Sequence, residues 1–377
     1  MRYIDLFSGA GGWSCGLDLA GFTHVASYDI NPPACETARS NLKEGSVEVA
    51  DLRKADLSSH AGIDLVVGSP PCQGFSNEGY KQKNDPRNSL VEVFLDLIER
   101  LKPRTFLFEN VPGFQRLYKG SYYHRLRDRL TQLDYRWQDM LVDASLHGVP
   151  QRRIRFFVVA SKDFAPSSPP EPSHASDVVS LFLPRVLSLW EAISDLPEVG
   201  TGERIGRFEY DRPASTPYQQ WARAGSPCVE NHTTQRHSER VLEKIRAVLP
   251  GEGMRTLVER YEENRVHYEG GYRRALKDAP SYTAYWTRGM TSIHPEQDRF
   301  LSPRECARIQ SFPDRYVFRG STIENYTQIC NAVPPLLAYA FGRLLSDKLL
   351  GRTLPDAAQL FTEAERMNRA VGAQKRG

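Results

Sequence analysis

The sequence predicts an α/β protein in which residues 1–160 form a mostly parallel sheet covered by helices, followed by a smaller, irregular domain. Short apolar or β-branched runs, each bounded by turn residues, alternate with helical runs in this first part. Such alternation is typical of a parallel sheet with helices on its faces. Beyond residue 165 the chain becomes polar and rich in Pro, Gly, Tyr and Arg, and the alternation does not return.

The predicted strands of the first part are Tyr3–Phe7, His24–Tyr28, Asp64–Val67, Arg104–Phe108 and Ile154–Ala160. The clearest helix between them is Leu90–Leu101, whose apolar residues fall on one face and which ends just before Pro103. A second predicted helix is Tyr122–Leu133. Because ligands of such sheets bind at the carboxyl ends of the strands, we expect functional residues directly after them.

The rest of the chain has weaker patterns. Residues 165–173 predict a loop or linker, because Pro and Ser dominate them. Helices are predicted at Leu187–Leu196, Glu239–Leu249, Pro303–Ile309 and Leu336–Leu349. The tail from Gly351 carries one more helical pattern and a basic end, and we expect it to be partly mobile.

Composition argues against several classes of protein. The net charge of +3 permits a nucleic-acid binder only if the basic groups gather on one face. The six cysteines are scattered without a C-x-x-C pair, which argues against a zinc ribbon and against a secreted disulfide framework, and no metal site is expected. A reducing, cytoplasmic setting is therefore expected. No apolar run approaches membrane-spanning length, and the N-terminus does not resemble a signal peptide.

A glycine-rich turn, Asp5–Gly12 (DLFSGAGG), follows the first predicted strand. Such a turn between strand and helix lets a ligand approach the backbone closely. Asp29 follows Gly9 by 20 positions, a spacing that suits a carboxylate holding ribose hydroxyls, and Asp51 is placed to reach an adenine. Together these features favour an adenosine-containing cofactor over a tight turn without a ligand.

Three further segments carry reactive side chains. Cys72 follows the third predicted strand and is flanked by Pro, Gln and Gly, which favours exposure and reaction, although a loop cysteine taken alone is more often inert. Glu109 follows an apolar strand, where a part-buried carboxyl with a raised pKa could donate a proton; a helix cap or surface position is the alternative. Arg153 and Arg155 alternate with Ile154 and should face one side; a solvated sheet edge is the alternative.

These segments resemble the ordered motifs of the C5 cytosine-methyltransferase family. The matching segments are Asp5–Gly12 (DLFSGAGG), Pro70–Ser76 (PPCQGFS), Glu109–Val111 (ENV), Gln151–Arg155 (QRRIR), Arg304–Pro313 (RECARIQSFP) and Gln328–Pro334 (QICNAVP). The resemblance covers roughly residues 1–160 and 300–345. The stretch between Gln151 and Arg304 corresponds to the family's variable target-recognition domain.

The resemblance implies a Rossmann-like, S-adenosylmethionine-dependent methyltransferase domain with a smaller, irregular target-recognition domain. The expected boundaries are a catalytic and cofactor-binding domain at 1–165 plus 322–350, a target-recognition domain at 166–300, a connecting motif at 301–321 and a C-terminal tail at 351–377. The implied activity is transfer of a methyl group from S-adenosyl-L-methionine to C5 of cytosine in a specific sequence of double-stranded DNA. The cytosine would be flipped out of the duplex, because C6 is inaccessible inside the stack.

The resemblance also implies a role for each reactive residue. Cys72 would add as a thiolate to C6, which makes C5 nucleophilic. Glu109 would hold and protonate N3, Arg155 would bind O2, and Arg153 would help to stabilise the thiolate. The implied cofactor contacts are Phe7, Gly9, Gly11, Asp29, Ile30, Asp51, Pro71, Leu90, Asn331 and Ala332.

Three positions depart from the family pattern. Asp29 stands where the family more often has Glu, so the ribose contact is expected through a shorter side chain. Ile30 replaces an aromatic residue found in some members, so adenine is expected to pack rather than stack. Cys330 stands where Gly is usual, which could tighten a turn without abolishing binding.

The predicted DNA contacts are Gln73, Ser76, Arg236, Arg273, Arg274 and Arg288. Each of them, taken singly, is more often a phosphate contact or an ordinary surface group than a residue that recognises a base. We expect a cytoplasmic bacterial or phage monomer that acts at the nucleoid, with any cognate restriction endonuclease acting separately. The alternatives are a tRNA cytosine methyltransferase of the same family and a catalytically silent DNA-binding relative. RNA-acting relatives usually carry Pro-Phe-Thr where this chain has Gly74-Phe75-Ser76.

Overall fold

A computed structural model describes residues 1–71, 90–176, 182–253, 273–286 and 291–374. Contacts divide the chain into two compact units. Unit 1 comprises Met1–Ala144, Arg153–Glu171 and Leu337–Leu354, and unit 2 comprises Ser145–Arg152, Pro172–Leu336 and Pro355–Gly377. Residues 322–336, expected with the catalytic domain, group with unit 2 by their contacts. The boundaries of the functional domains stay predictions.

The described part of unit 1 is built on a seven-stranded sheet. The strands are β1 (Arg2–Leu6), β2 (Thr23–Asp29), β3 (Ser46–Val49), β4 (Leu65–Gly68), β5 (Thr105–Asn110), β6 (Arg136–Asp143) and β7 (Ile154–Ser161). Their order across the sheet is β3-β2-β1-β4-β5-β7-β6. Strands β1 to β5 run parallel to one another, and β7 is antiparallel to its neighbours β5 and β6. The predicted mostly parallel α/β sheet is confirmed, although the sequence predicts neither β3 nor β6.

The helices are α1 (Gly12–Leu19), α2 (Pro32–Asn41), α3 (Leu90–Leu101), α4 (Ser121–Gln132), α5 (Leu189–Ile193), α6 (Pro217–Arg223), α7 (Glu239–Ala247), α8 (Pro303–Ile309), α9 (Thr322–Asn331), α10 (Pro335–Leu350) and α11 (Ala357–Gln374). Short 3₁₀ turns lie at Ser58–His60, Pro112–Gln115, Leu117–Gly120 and Ala144–His147. No helix among the described residues is long and apolar enough to cross a membrane.

Aromatic side chains fill the space between α3 and the sheet. The ring of Phe94 is fully buried, with its centroid 5.9 Å from Phe106 and 5.5 Å from Phe108. Burial of one such side chain contributes roughly 1.5–3 kcal/mol to folding. Gly68 ends β4 beneath this cluster, and a Cβ there would lie 2.6 Å from an atom of the Phe94 ring. The packing therefore requires glycine at the position where the loop after β4 begins.

Polar interactions fix several helices of unit 2. Four of its helices begin with a reciprocal capping box, formed by Ser188 with Glu191, Thr216 with Gln219, Ser302 with Glu305 and Ser321 with Glu324. Arg304 and Arg308 in α8 are fully buried. Because such a region has few long apolar runs, its sequence does not show the periodic patterns from which strands and helices are predicted.

Arg308 is the centre of a buried ion network in unit 2. Its guanidinium donates to Asp314 at 2.6 and 2.7 Å, to Asp195 at 3.1 and 3.3 Å, and to the Ala192 carbonyl at 2.7 Å. All five N–H groups of an arginine are thereby used. Burial alone would raise the pKa of Asp314, but the guanidinium of Arg308 outweighs it and holds that pKa below its ordinary value.

The tail contains the predicted helix, α11, which packs within unit 2. Its Phe361 is 4 % exposed, and the ring lies 5.3 Å from Tyr218 and 5.6 Å from Trp221 between centroids. A Cβ on Gly148 would lie 2.7 Å from the Cβ of Ala357, so the loop before residue 152 also lies against this helix. The expectation that the tail is partly mobile stays a prediction.

Candidate active site

The glycine-rich turn joins β1 to α1 in a conformation that glycine favours. Gly9 and Gly11 have positive φ angles of 53° and 80°, and Gly11 is the residue that precedes α1. Phe7 has a φ angle of 58°, which is strained for a bulky residue and is the kind of strain found at ligand sites. Apart from its two chain neighbours, no described residue has an atom within 4 Å of the position of a Cβ on Gly9, so the space beside the turn is open in the described part of the chain.

Asp29 fastens this turn to the end of β2. One carboxylate oxygen accepts a hydrogen bond from the Gly9 N–H at 2.8 Å, and the other accepts from the Asn31 N–H at 2.8 Å. Burial raises the pKa of Asp29, and these two backbone hydrogen bonds oppose the rise. Ile30, the next residue, is 64 % exposed. The structure thus brings Gly9, Asp29 and Ile30 together, as expected for residues that share one ligand.

A second carboxyl lies beneath the turn and was not among the predicted site residues. Asp5 is fully buried, and burial raises its pKa to about 8. One of its oxygens accepts from the Ser14 hydroxyl at 2.9 Å, while the other has no hydrogen-bond partner among the described residues. Ser14, in α1, therefore forms a hydrogen bond to the strand that leads into the turn. The sequence feature that could have identified Asp5 is an acidic residue within an otherwise apolar strand.

The other predicted cofactor residues of unit 1 are less closely linked. Asp51 follows β3, and its carboxylate binds Arg53 through bonds of 2.8 and 2.7 Å. The Arg53 guanidinium lowers the pKa of Asp51 to about 2. Pro71 and Leu90 border the segment 72–89, which lies outside the described residues together with the predicted Cys72, Gln73 and Ser76. The two remaining residues, Asn331 and Ala332, end α9 in unit 2, and their role in cofactor binding stays a prediction.

Glu109 is buried near the end of β5 beside two arginines. Its side chain is 11 % exposed, and its Oε1 lies 3.5 Å from the Nε of Arg155. Burial raises the pKa of Glu109, while the charges of Arg155 and Arg153 oppose the rise. Glu109 pairs across the sheet with Phe157, so Arg155, two residues before Phe157 on β7, lies on the same face. The surface and helix-cap alternatives for Glu109 are wrong.

The loop that leads to Cys72 is anchored beside Glu109. The Trp13 indole N–H donates to the Ser69 hydroxyl at 3.0 Å, and this hydroxyl donates to the Glu109 carboxylate. The Asn110 amide donates to the Pro70 carbonyl at 3.3 Å. Ser69 and Asn110 are thus positioning residues that sequence reasoning did not single out. They fix the last described residues before position 72 against the strand that carries the buried carboxyl.

Arg153 and Arg155 do not lie at a solvated sheet edge. Arg153 is 3 % exposed, and the side chain of Arg155 is 15 % exposed, whereas Ile154 between them is 43 % exposed. The alternation expected from the sequence is therefore present, with the two arginines on the face of Glu109. In chemical terms, unit 1 holds a protonatable carboxyl beside two arginines, on the sheet whose first strand leads into the glycine-rich turn.

The residues predicted to contact DNA have different environments. Arg236 is exposed, and the exposed Arg273 lies 3.6 Å above the ring of Tyr282. Arg288 lies outside the described residues. Arg274 is 6 % exposed, and its guanidinium donates to the carbonyls of Val248, His294, Gln297 and Ile245 and to the carboxylate of Asp298. All its donors are used inside unit 2, so the DNA contact predicted at Arg274 is wrong.

Comparison with known proteins gives a consistent result. A family model described as C-5 cytosine-specific DNA methylase matches residues 1–346. The Type II methyltransferase M.AgeI of Thalassovita gelatinovora is 33 % identical over 92 % of this chain and 99 % of its own length. M.DdeI of Desulfomicrobium norvegicum is 32 % identical over 92 % of this chain and 88 % of its own. A solved structure of a prophage-encoded DNA modification methyltransferase from E. coli matches with a TM-score of 0.73 and 25 % identity, over 93 % of this chain and 100 % of that chain.

Proposed function

The chain belongs to the family of C-5 cytosine-specific DNA methylases, and on that premise we propose that it transfers a methyl group from S-adenosyl-L-methionine to C5 of cytosine within a specific sequence of double-stranded DNA. The observation that carries the proposal is the buried Glu109 beside Arg155. The strands that carry this pair, β5 and β7, belong to the same sheet as β1, which leads into the glycine-rich turn. M.AgeI and M.DdeI are both named Type II methyltransferases, which supports a role for this chain in restriction and modification. In this proposal a cognate endonuclease acts as a separate protein in a bacterial cell.

The residues around the glycine-rich turn fit the proposed cofactor. The open space beside Gly9 leaves room for a ligand at the backbone. Asp29 accepts one hydrogen bond on each oxygen, which leaves acceptor capacity for ribose hydroxyls. The exposed Ile30 offers an apolar surface for a purine ring. When bound, S-adenosyl-L-methionine supplies an electrophilic methyl group.

The proposed chemistry assigns a proton or an electron pair to each catalytic residue. Cys72, as a thiolate, forms a bond to C6 of cytosine, and Glu109 gives N3 its proton as negative charge develops there. C5 of the resulting enamine would attack the methyl group that bound S-adenosyl-L-methionine supplies; the bond from this methyl group to the sulfur would break, and S-adenosyl-L-homocysteine would leave. A water or hydroxide would then take the C5 proton, the C6–S bond would break with release of the thiolate, and N3 would return its proton to Glu109. Arg155 binds O2 throughout, and Arg153 supports the thiolate electrostatically.

The raised pKa of Glu109 suits the role of a proton donor. A carboxyl whose pKa is raised by burial keeps its proton at higher pH than an exposed one and can donate it. The neighbouring arginines then stabilise the carboxylate that remains after donation. The target base must leave the duplex before these groups can reach it, because C6 is covered by its stacked neighbours.

The proposal is tested by incubating the purified chain with methyl-labelled cofactor and either double-stranded DNA or tRNA. We expect labelled 5-methylcytosine in DNA, loss of turnover in Cys72→Ser and a rate lowered by roughly 10²–10⁴-fold in Glu109→Gln. Cys228→Ser and Glu92→Gln are the matched controls, since neither residue belongs to the proposed site. Label in tRNA alone, or turnover retained by Cys72→Ser, would contradict the proposal.

A further inference from the structure

Two consecutive hydrogen bonds link the first helix to the buried carboxyl of Glu109. The Trp13 indole N–H donates to the Ser69 hydroxyl at 3.0 Å, and this hydroxyl donates to the Glu109 carboxylate. Trp13 is the second residue of α1, which begins directly after the glycine-rich turn. All three residues belong to unit 1. The helix that follows the ligand turn and the proposed proton donor are therefore joined through one hydroxyl group.

The indole restricts the orientation of the Ser69 hydroxyl. An indole N–H can only donate, so it occupies a lone pair of the serine oxygen. The single hydroxyl hydrogen of Ser69 then points away from Trp13, and the Glu109 carboxylate accepts it. Without the indole, the hydroxyl would be free to turn and to accept a hydrogen bond from the protonated carboxyl instead. Trp13 thus favours the orientation of Ser69 that stabilises the carboxylate form of Glu109.

Aromatic packing holds the indole in place. Trp13 is 3 % exposed, and its ring meets the ring of Phe157 edge-on, with the centroids 6.0 Å apart and the planes at 89°. The ring of Phe341, from α10, lies 5.8 Å from that of Trp13 between centroids. Phe157 pairs with Glu109 across the sheet, so the aromatic rings and the carboxyl lie on the same face. The indole N–H is therefore fixed independently of its bond to Ser69.

Ser69 acts on Glu109 alongside two charged groups. Burial raises the pKa of Glu109, and the charges of Arg155 and Arg153, at the start of β7, oppose the rise. The hydrogen bond from Ser69 opposes it in addition. Among the described residues, the two arginines are the charged groups that act on this carboxyl, whereas Trp13 and Ser69 are neutral. The contribution of Ser69 can therefore be removed without changing a charge around Glu109.

We propose that Trp13 is a positioning residue that directs the Ser69 hydroxyl onto Glu109 and so sets how readily this carboxyl releases its proton. The inference rests on the proposed function, because it takes Glu109 as the group that protonates N3 of cytosine. Burial favours the protonated carboxyl, and the bond from Ser69 stabilises the carboxylate that forms when the proton leaves. In the alternative, the indole bonds Ser69 only because a buried tryptophan needs a partner for its N–H.

The first measurement is an NMR titration of Glu109 in the full-length chain, isotope-labelled at the glutamate side-chain carboxyls, with Glu109→Gln identifying the signal. Ser69→Ala should raise the pKa of Glu109 by roughly one pH unit, because the carboxylate loses a charge-assisted hydrogen bond. Trp13→Phe should raise this pKa by a smaller amount, because the hydroxyl remains but loses its orientation. Trp190→Phe is the matched control, since Trp190 lies in α5 of unit 2, and it should leave the titration unchanged.

The pH dependence of methylation by the same variants is the second measurement. The rate should fall at high pH as Glu109 loses the proton that it donates. In Ser69→Ala and Trp13→Phe this fall should move to higher pH by the amounts seen in the titration, because the carboxyl then keeps its proton longer. In the double variant Trp13→Phe/Ser69→Ala the shift should equal that of Ser69→Ala alone, because the indole acts through the hydroxyl.

The titration of Trp13→Phe decides between the proposal and the alternative. Matching shifts in the titration and in the pH profile, with no added effect of Trp13→Phe once Ser69 is replaced, support the proposal. An unchanged titration in Trp13→Phe overturns it, whatever the thermal midpoint of that variant. Additive shifts in the double variant also overturn it, because the indole would then act on Glu109 by another route. If the titrations shift as expected but the wild-type chain does not methylate DNA, the control of Glu109 by Trp13 is supported and the proposed function fails.

Discussion

Replacing Arg308 with methionine should destabilise unit 2 severely. The arginine uses all its donors on Asp314, Asp195 and the Ala192 carbonyl, and none of the three charged side chains is exposed. Methionine fills a similar volume, but it removes the hydrogen bonds and the positive charge of Arg308 from two buried carboxylates. Asp314 keeps the Tyr210 hydroxyl at 2.6 Å, and Asp195 keeps Arg223 at 3.4 Å.

The magnitude follows from these remaining partners. Removal of one member of a buried ion pair costs about 3–5 kcal/mol, because an uncompensated charge stays buried. Two carboxylates lose their main partner here, but each retains another, so we expect a loss of about 4 kcal/mol in the free energy of unfolding at neutral pH. The loss should shrink in acid. In the wild type the lowered pKa of Asp314 contributes stability above the unfolded pKa, and this contribution disappears as pH falls through the folded pKa.

Urea unfolding followed by circular dichroism, at neutral pH and in acid, measures this effect. Arg246→Gln is the matched control, since its guanidinium is exposed and pairs on the surface, and its midpoint should not move. A loss below about 1 kcal/mol at neutral pH would refute the reasoning, because it would equal an ordinary neutral hydrogen bond. A loss that grows in acid would refute the assigned sign of the Asp314 contribution.

Two further predictions concern the two ends of the chain. Because the folded pKa of Asp5 is raised to about 8, the folded state binds the extra proton, and stability should fall as pH rises from the unfolded pKa toward 8. Asp5→Asn removes this dependence, so its thermal midpoint relative to wild type should improve with rising pH, and a constant difference would contradict the assignment. Phe361→Ala should cost about 3 kcal/mol in the free energy of unfolding, because its ring is buried against Tyr218 and Trp221. Denaturant titration with the exposed Leu350→Ala as control checks this, and equal effects would show that the tail does not pack there.

The sequence predicts the sheet where its strands are buried and fails where they are exposed. β3 has one buried residue among four, and β6 is partly exposed along most of its length, so neither shows a continuous apolar run. Helix α3 ends at the predicted residue, Leu101, because Pro103 follows it, and its broad apolar stripe made the helix recognisable in the sequence. Local periodicity is thus sufficient for elements with one strongly buried face.

The sequence also predicts the role of a side chain only where local sequence is sufficient. Glu109 was found because it directly follows the predicted strand Arg104–Phe108, although β5 extends to Asn110 and includes it. Arg274 was misassigned because a buried arginine and a DNA-binding arginine look alike in sequence, and only the carbonyls around it distinguish them. Asp5 and Ser69 were missed because their partners, Ser14 and Trp13, come from a neighbouring helix.

The central claim is sequence-specific methylation of cytosine C5 by the thiolate of Cys72. The most direct measurement expresses the chain in a bacterial host that lacks DNA methylation and maps protected cytosines by bisulfite sequencing of the genome. The account predicts protection within one short recurring sequence and none with Cys72→Ser. An unprotected genome in cells that contain folded, cofactor-binding wild-type chain would contradict it.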